Sequence, residues 1–286
     1  MPRDVLVMLC YARSGGTLLN RCLGSLPNTV VLSEVNPLGS GGGAPIKADT
    51  PYEQALRWYG INLKSRDFTG SILELIEFCK QKGLSLIIRD WSVVNFMPMP
   101  QNNYEPPYRF LTLEALKNKC NVTAFAFVRN AIDVFLSQGA EINIFSSSYL
   151  QYVKAIINLR IPIFKFEDFC KFPEKVLGSI CRLGEIDFSD TFRNFSSFVN
   201  VNGDVQVKGK SRGGRYNEII VLPRKRVGAK KADIINNCEK IKEANELLGY
   251  PVKYGDVPIE SGFSFLLRKY QSLFRKILGM INFWDG

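Results

Sequence analysis

The chain of 286 residues contains no histidine. That absence removes the commonest general base, serine-histidine triads and most zinc sites together. Proton transfer in such a protein falls to a carboxylate, lysine, tyrosine or cysteine. No C-x-x-C pair occurs among the seven cysteines, Cys10, Cys22, Cys79, Cys120, Cys170, Cys181 and Cys238, and their number is odd. They read as buried free thiols in a reducing compartment and not as a disulfide framework. The first apolar run begins at Val5, which leaves no room ahead of it for a signal peptide or anchor, so a cytoplasmic protein is expected. Acid is scarce relative to base: 27 Asp and Glu against 37 Lys and Arg give a formal charge of +10. Nine Lys or Arg fall between Lys208 and Lys231 against the single acid Glu218, so this local excess of eight supplies most of the total. Such a patch is a footprint for an anion. The run has Tyr216 as its one aromatic and no recognised nucleic-acid module accompanies it, so a small polyanion is expected in place of nucleic acid.

What is present is organised by the stretch Val5 to Gly24. Val5–Leu9 is a short apolar run of the kind that fills a parallel sheet covered on both faces. A helix follows, with Leu18, Leu19, Cys22 and Leu23 at helical spacing. Between them lies Ala12-Arg13-Ser14-Gly15-Gly16-Thr17, which joins two glycines to hydroxyls and an arginine at a helix start. The unpaired N–H groups and dipole of such a start favour an anion. This is not the nucleoside-triphosphatase loop, because Gly16 is followed directly by Thr17 and this turn has no lysine between its last glycine and the hydroxyl. A tight strand–helix turn without a ligand is the bland alternative at this point.

A second apolar strand, Val122–Val128, ends in Arg129, and Ser137 lies eight positions on, about two turns along the helix that follows. An arginine and a hydroxyl so placed can hold one phosphate from two sides. A short strand at Val30–Leu32 leads into Ser33-Glu34-Val35-Asn36-Pro37, and another at Leu84–Ile88 into Arg89-Asp90-Trp91. Polar groups at the carboxyl ends of parallel strands are where open α/β sheets place their ligands.

Taken together these motifs resemble the sulfotransferase family that uses 3′-phosphoadenosine 5′-phosphosulfate. Arg-Ser-Gly-x-Thr-Leu resembles its 5′-phosphosulfate loop, in the arginine form of tyrosylprotein and many bacterial carbohydrate sulfotransferases. The resemblance implies donor contacts at Arg13, Ser14, Gly15, Gly16, Thr17 and Leu18, and a 3′-phosphate site at Arg129 and Ser137. Glu34, twenty-one positions after Arg13, matches the catalytic base of the tyrosylprotein branch. Asp90, at the strand end where other branches carry theirs, is the second candidate, with Arg89 orienting it or the sulfate; a plain surface ion pair is the alternative. Arg13 would stabilise charge on the sulfuryl oxygens. The segment Lys208-Gly-Lys-Ser-Arg-Gly-Gly-Arg215 resembles the family's basic loop over the 3′-phosphate, with Arg212 and then Lys210 preferred. Ile161–Asp168 resembles the family's strand ending in Tyr-Glu-Asp-Leu, with Phe166 in place of the tyrosine, and Glu167 and Asp168 are expected to cap the next helix. No metal is implied.

The expected architecture is a three-layer α/β/α domain over residues 1–255, with a central, mostly parallel sheet like that of P-loop proteins, and a C-terminal amphipathic extension over 256–286. Residues 260–284 carry apolar side chains at i, i+3/i+4 beside four cations and are too amphipathic to span a bilayer. Packing on the body or a second subunit, or lying on a membrane surface, remain open. The acceptor is expected to be a hydroxyl on a carbohydrate or lipid-linked sugar. A small-molecule kinase of related architecture and a non-catalytic polyanion- or membrane-binding protein are the rival readings.

Overall fold

In the computed structural model the described residues are 4–39, 47–202, 218–221, 223–251 and 257–259. Lys210, Arg212 and the extension at 260–284 lie outside them, as does most of the glycine run at 39–43.

The chain alternates strand and helix from the start. β1 (Val5–Cys10), α1 (Gly16–Gly24) and β2 (Thr29–Val35) are followed by α2 (Pro51–Tyr59) and α3 (Phe68–Lys82). Then come β3 (Ser85–Trp91), α4 (Leu111–Leu116), β4 (Val122–Val128), α5 (Ala131–Gln138), α6 (Ile142–Asn158) and β5 (Ile163–Lys165). α7 (Phe166–Lys171), α8 (Pro173–Leu183), α9 (Ala229–Asn236) and α10 (Glu239–Leu247) complete the described elements apart from short 3₁₀ turns. The five strands form one sheet in the order β2-β3-β1-β4-β5, every pair parallel. Its centre, β1, is buried at all six residues.

Alternation along β1 sends its side chains into two cores. Val5, Val7 and Leu9 join the core under α2, α3, α5 and α6, while Leu6, Met8 and Cys10 join the one under α1, α7 and α8. The three-layer α/β/α arrangement expected from the sequence is thus the one observed. Because every pair is parallel, all five carboxyl ends lie on one edge, and β1 and β4 are direct neighbours there, with Cys10 opposite Phe127.

Two local expectations change. The sequence predicts one helix over 231–248, but the chain breaks at Asn237-Cys238, with Cys238 extended as it leads into α10. The Asn237 side chain donates to the Asp233 carboxylate, and the Asn236 side-chain oxygen accepts from the Val257 amide, so both asparagine side chains are engaged where the helix breaks. Glu167 does not cap its own helix. Its Oε1 accepts from the Asn130 amide at 3.1 Å and its Oε2 from the Tyr250 hydroxyl at 2.7 Å, so it braces the turn between β4 and α5. All seven cysteines are free. No described helix is long and apolar enough to cross a membrane.

Candidate active site

The loop between β1 and α1 owes its shape to positive backbone dihedrals. Gly15, the residue before the helix, has φ +87°, and a Cβ there would run into the Phe166 ring. Arg13 takes φ +70° without being a glycine, a conformation that costs energy and is retained mainly where function requires it. α1 has no side-chain cap at its first turn, the condition in which a helix start is free to hold an anion. Ser14 is fully buried inside the loop, and its hydroxyl has no hydrogen-bond partner.

β4 brings Arg129 to the same edge. Its Nη1 donates to the Arg13 carbonyl at 3.4 Å, and the guanidinium lies over the Phe166 ring, 4.8 Å from its centroid. The loop and Arg129 therefore share one packing unit: Phe166 supports Gly15 and Arg129 alike. Its Nε is buried without a partner. The Tyr149 hydroxyl donates to the Arg129 carbonyl at 2.7 Å and holds the strand end in place. Ser137 sits half-buried in the last turn of α5.

β2 carries Glu34 to this edge through a bulge: pairing with β3 shifts register between Ser33 and Val35. Glu34 has φ +54°, so the bulge turns its carboxylate out of the strand's alternation, as bulges beside active sites do. It meets Arg89 of β3, whose Nη2 donates to Glu34 Oε1 at 2.7 Å. Arg89 Nη1 reaches Thr17 Oγ1 at 3.2 Å and the Asn202 carbonyl at 3.5 Å. One buried guanidinium thus ties the carboxylate to the glycine loop.

Asp90, the second carboxylate expected to serve as base, points away from this cluster. It is wholly buried and accepts from Asn36 Nδ2 at 2.9 Å, Ser92 Oγ at 2.6 Å and Thr112 Oγ1 at 2.5 Å. Burial pushes its carboxyl above the usual range, against the pull of those three bonds. Enclosed in this way, the carboxylate braces the strand end: Ser92 in turn accepts from the Cys10 amide and so secures the end of β1. Replacing it by alanine would leave three buried donors unsatisfied, and Asp90→Ala is expected to lose on the order of 3 kcal/mol of stability in a urea titration.

No protein-family model matches the chain, and no curated protein matches it in sequence. Solved structures do match. A sulfotransferase domain from the curacin biosynthetic pathway superposes with a TM-score of 0.53 at 14% identity, over 88% of this chain and 99% of that one. The sulfotransferase domain of the Synechococcus PCC 7002 olefin synthase gives 0.54 at 16% identity, over 86% and 94%. The chain has the sulfotransferase fold.

Within that fold Arg129 meets the glycine loop at the Arg13 carbonyl, and Arg89 joins Glu34 to Thr17 of the same loop; Lys210 and Arg212 lie outside the described residues. Arg13 to Leu18 and Arg129 follow the carboxyl ends of β1 and β4, Glu34 lies at that of β2, and Ser137 lies in the last turn of the helix after Arg129. A donor with anionic groups at both ends fits the polar atoms found there: a buried, unpartnered hydroxyl at Ser14 and a buried, unpartnered Nε at Arg129. Arg89 is more central in the structure than its sequence weight suggested. The signal available for it was a lone cation closing the apolar strand Leu86-Ile87-Ile88. Tyr149 gave no signal, because its contact with Arg129 spans twenty residues and a helix.

Proposed function

We propose that the protein is a sulfotransferase that moves a sulfuryl group from 3′-phosphoadenosine 5′-phosphosulfate to an acceptor hydroxyl. The observation that carries this reading is the convergence of Arg129 and the glycine loop on one edge, 3.4 Å apart at their closest bond, beside a carboxylate tied to the same loop. The donor supplies the sulfuryl group and a phosphate leaving group. Arg13, Ser14 and the first amides of α1 hold the 5′ end, and Arg129 with Ser137 holds the 3′-phosphate. Glu34 takes the acceptor proton as the hydroxyl oxygen bonds to sulfur and the sulfur–oxygen bond to the leaving phosphate breaks. Arg89 fixes the orientation of Glu34 and offers its second nitrogen to charge developing at the loop.

Glu34 is supported as base by elimination as well as by position. Cys10 lies beneath the loop, but burial pushes its thiol up to about 11, so it stays protonated near neutrality. Asp90 is enclosed. Tyr149 and Tyr152 are raised far above the physiological range by burial. For the acceptor we favour a carbohydrate or lipid-linked sugar, on the aromatic surfaces offered by the half-buried Trp91 at the end of β3 and the exposed Tyr108.

Calorimetric titration with adenosine 3′,5′-bisphosphate and adenosine 5′-phosphate tests the donor. Tighter binding of the bisphosphate is expected, and Arg129→Ala should erase most of that preference, on the order of 100-fold. Equal affinity of the unaltered protein for the two nucleotides would overturn the assignment. A transfer assay with labelled donor against sugar, lipid and phenol acceptors then tests the acceptor class.

A further inference from the structure

Asp133 is a carboxylate in an awkward place. It lies in the first turn of α5, four residues before Ser137, so the two side chains share a helix face with Cβ atoms roughly 5–6 Å apart. A phosphate held by Arg129 and Ser137 would therefore sit beside a negative charge. The structure supplies a counter-charge from far along the chain. Arg224 donates from Nε to Asp133 Oδ1 and from Nη2 to Oδ2, both at 3.0 Å, a two-pronged fork with both side chains largely buried. The same Nη2 reaches Asn130 Oδ1 at 3.3 Å, and that oxygen also caps α5 by accepting from the Ile132 amide. Two more cations of the basic run converge on this helix: Lys225 Nζ donates to the Leu136 carbonyl at 3.1 Å, and Lys231 lies over the Phe135 ring.

We infer that Arg224 is a positioning residue whose fork on Asp133 and Asn130 neutralises the acid beside Ser137 and so sets the preference for a 3′-phosphorylated nucleotide. This rests on the donor reading above. The chemistry is specific in one respect: the fault in an Arg224-less protein is the exposed charge of Asp133, so removing that charge should repair it. A guanidinium fork is also not replaced by a lysine, which offers a point charge and cannot span both carboxylate oxygens and Asn130.

The test is the ratio of affinities for adenosine 3′,5′-bisphosphate and adenosine 5′-phosphate, measured by calorimetry on the full chain. Arg224→Ala is expected to lower the ratio on the order of 10- to 100-fold while leaving adenosine 5′-phosphate binding almost unchanged. Arg224→Ala/Asp133→Asn should recover most of the ratio, and Arg224→Lys should fall between. Asp133→Asn alone, which keeps a hydrogen-bonding side chain under the arginine, should retain it. An Arg224→Ala protein that keeps its ratio, that loses affinity for both nucleotides equally, or that the Asp133→Asn change does not repair overturns the inference alone. A wild-type chain indifferent to the 3′-phosphate overturns the donor reading and this inference with it.

Discussion

Glu34→Gln is expected to slow sulfuryl transfer by on the order of 10² to 10⁴, the range that a positioned general base contributes, while affinity for adenosine 3′,5′-bisphosphate stays close to that of the unaltered protein. Glutamine is the right replacement because of the contact with Arg89. Its amide oxygen can still accept from Nη2, which stands 2.7 Å from Glu34 Oε1, so the buried guanidinium keeps a partner and the bulge keeps its shape. Both side chains carry a Cβ and pay alike for the left-handed backbone at this position, φ +54°. What the substitution removes is the capacity to take a proton. Single-turnover rates with preloaded donor isolate that loss from binding and product release. Near-normal rates in the variant would dismiss Glu34 as base.

Glu34→Ala would be a poorer experiment. It would strip a buried arginine of its carboxylate, and the resulting loss would mix stability with chemistry.

The parts of the site that were legible in the sequence are those whose geometry is local. The strand, turn and first helix from Val5 to Gly24 are contiguous, and the apolar run, the glycines and the helical spacing each reflect neighbouring residues. The strand ending before Arg129 and the helix carrying Ser137 were legible for the same reason, since each is a contiguous run. Long-range pairing was not legible. Arg89 meets Glu34 across 55 positions and Thr17 across 72, a consequence of β3 lying between β1 and β2 in the sheet, and strand order is not written in either segment. Asp133 and Arg224 are 91 positions apart. Asp90 misled for a related reason. A carboxylate at a strand end looks available for chemistry until Asn36, Ser92 and Thr112 are seen to close around it, and two of those donors, Asn36 and Thr112, lie 54 and 22 positions away. The break at Asn237 escaped notice because apolar periodicity continues across it while the backbone does not.

Arg89→Ala should lower turnover by on the order of 10² to 10³ through loss of electrostatic support at the reacting centre, and should also cost stability, because Glu34 is left partly buried without its partner. Arg89→Lys separates the two contributions. A lysine keeps the charge but cannot reach Thr17 Oγ1 and Glu34 Oε1 together, which the arginine does from Nη1 and Nη2 at 3.2 and 2.7 Å. If charge alone matters, the lysine variant should approach normal turnover; if the fork is needed to aim Glu34 at the loop, it should remain well below, with donor affinity little changed. Melting temperatures of both variants register the structural part. The decisive measurement is the double variant Glu34→Gln/Arg89→Ala. Residues that act as one unit lose little more together than the worse of the two alone, so the double variant is expected to transfer sulfate about as slowly as Glu34→Gln by itself. Multiplying effects would mean that Arg89 serves the sulfuryl group independently of the base, and that the 2.7 Å bond between them is only a resting contact.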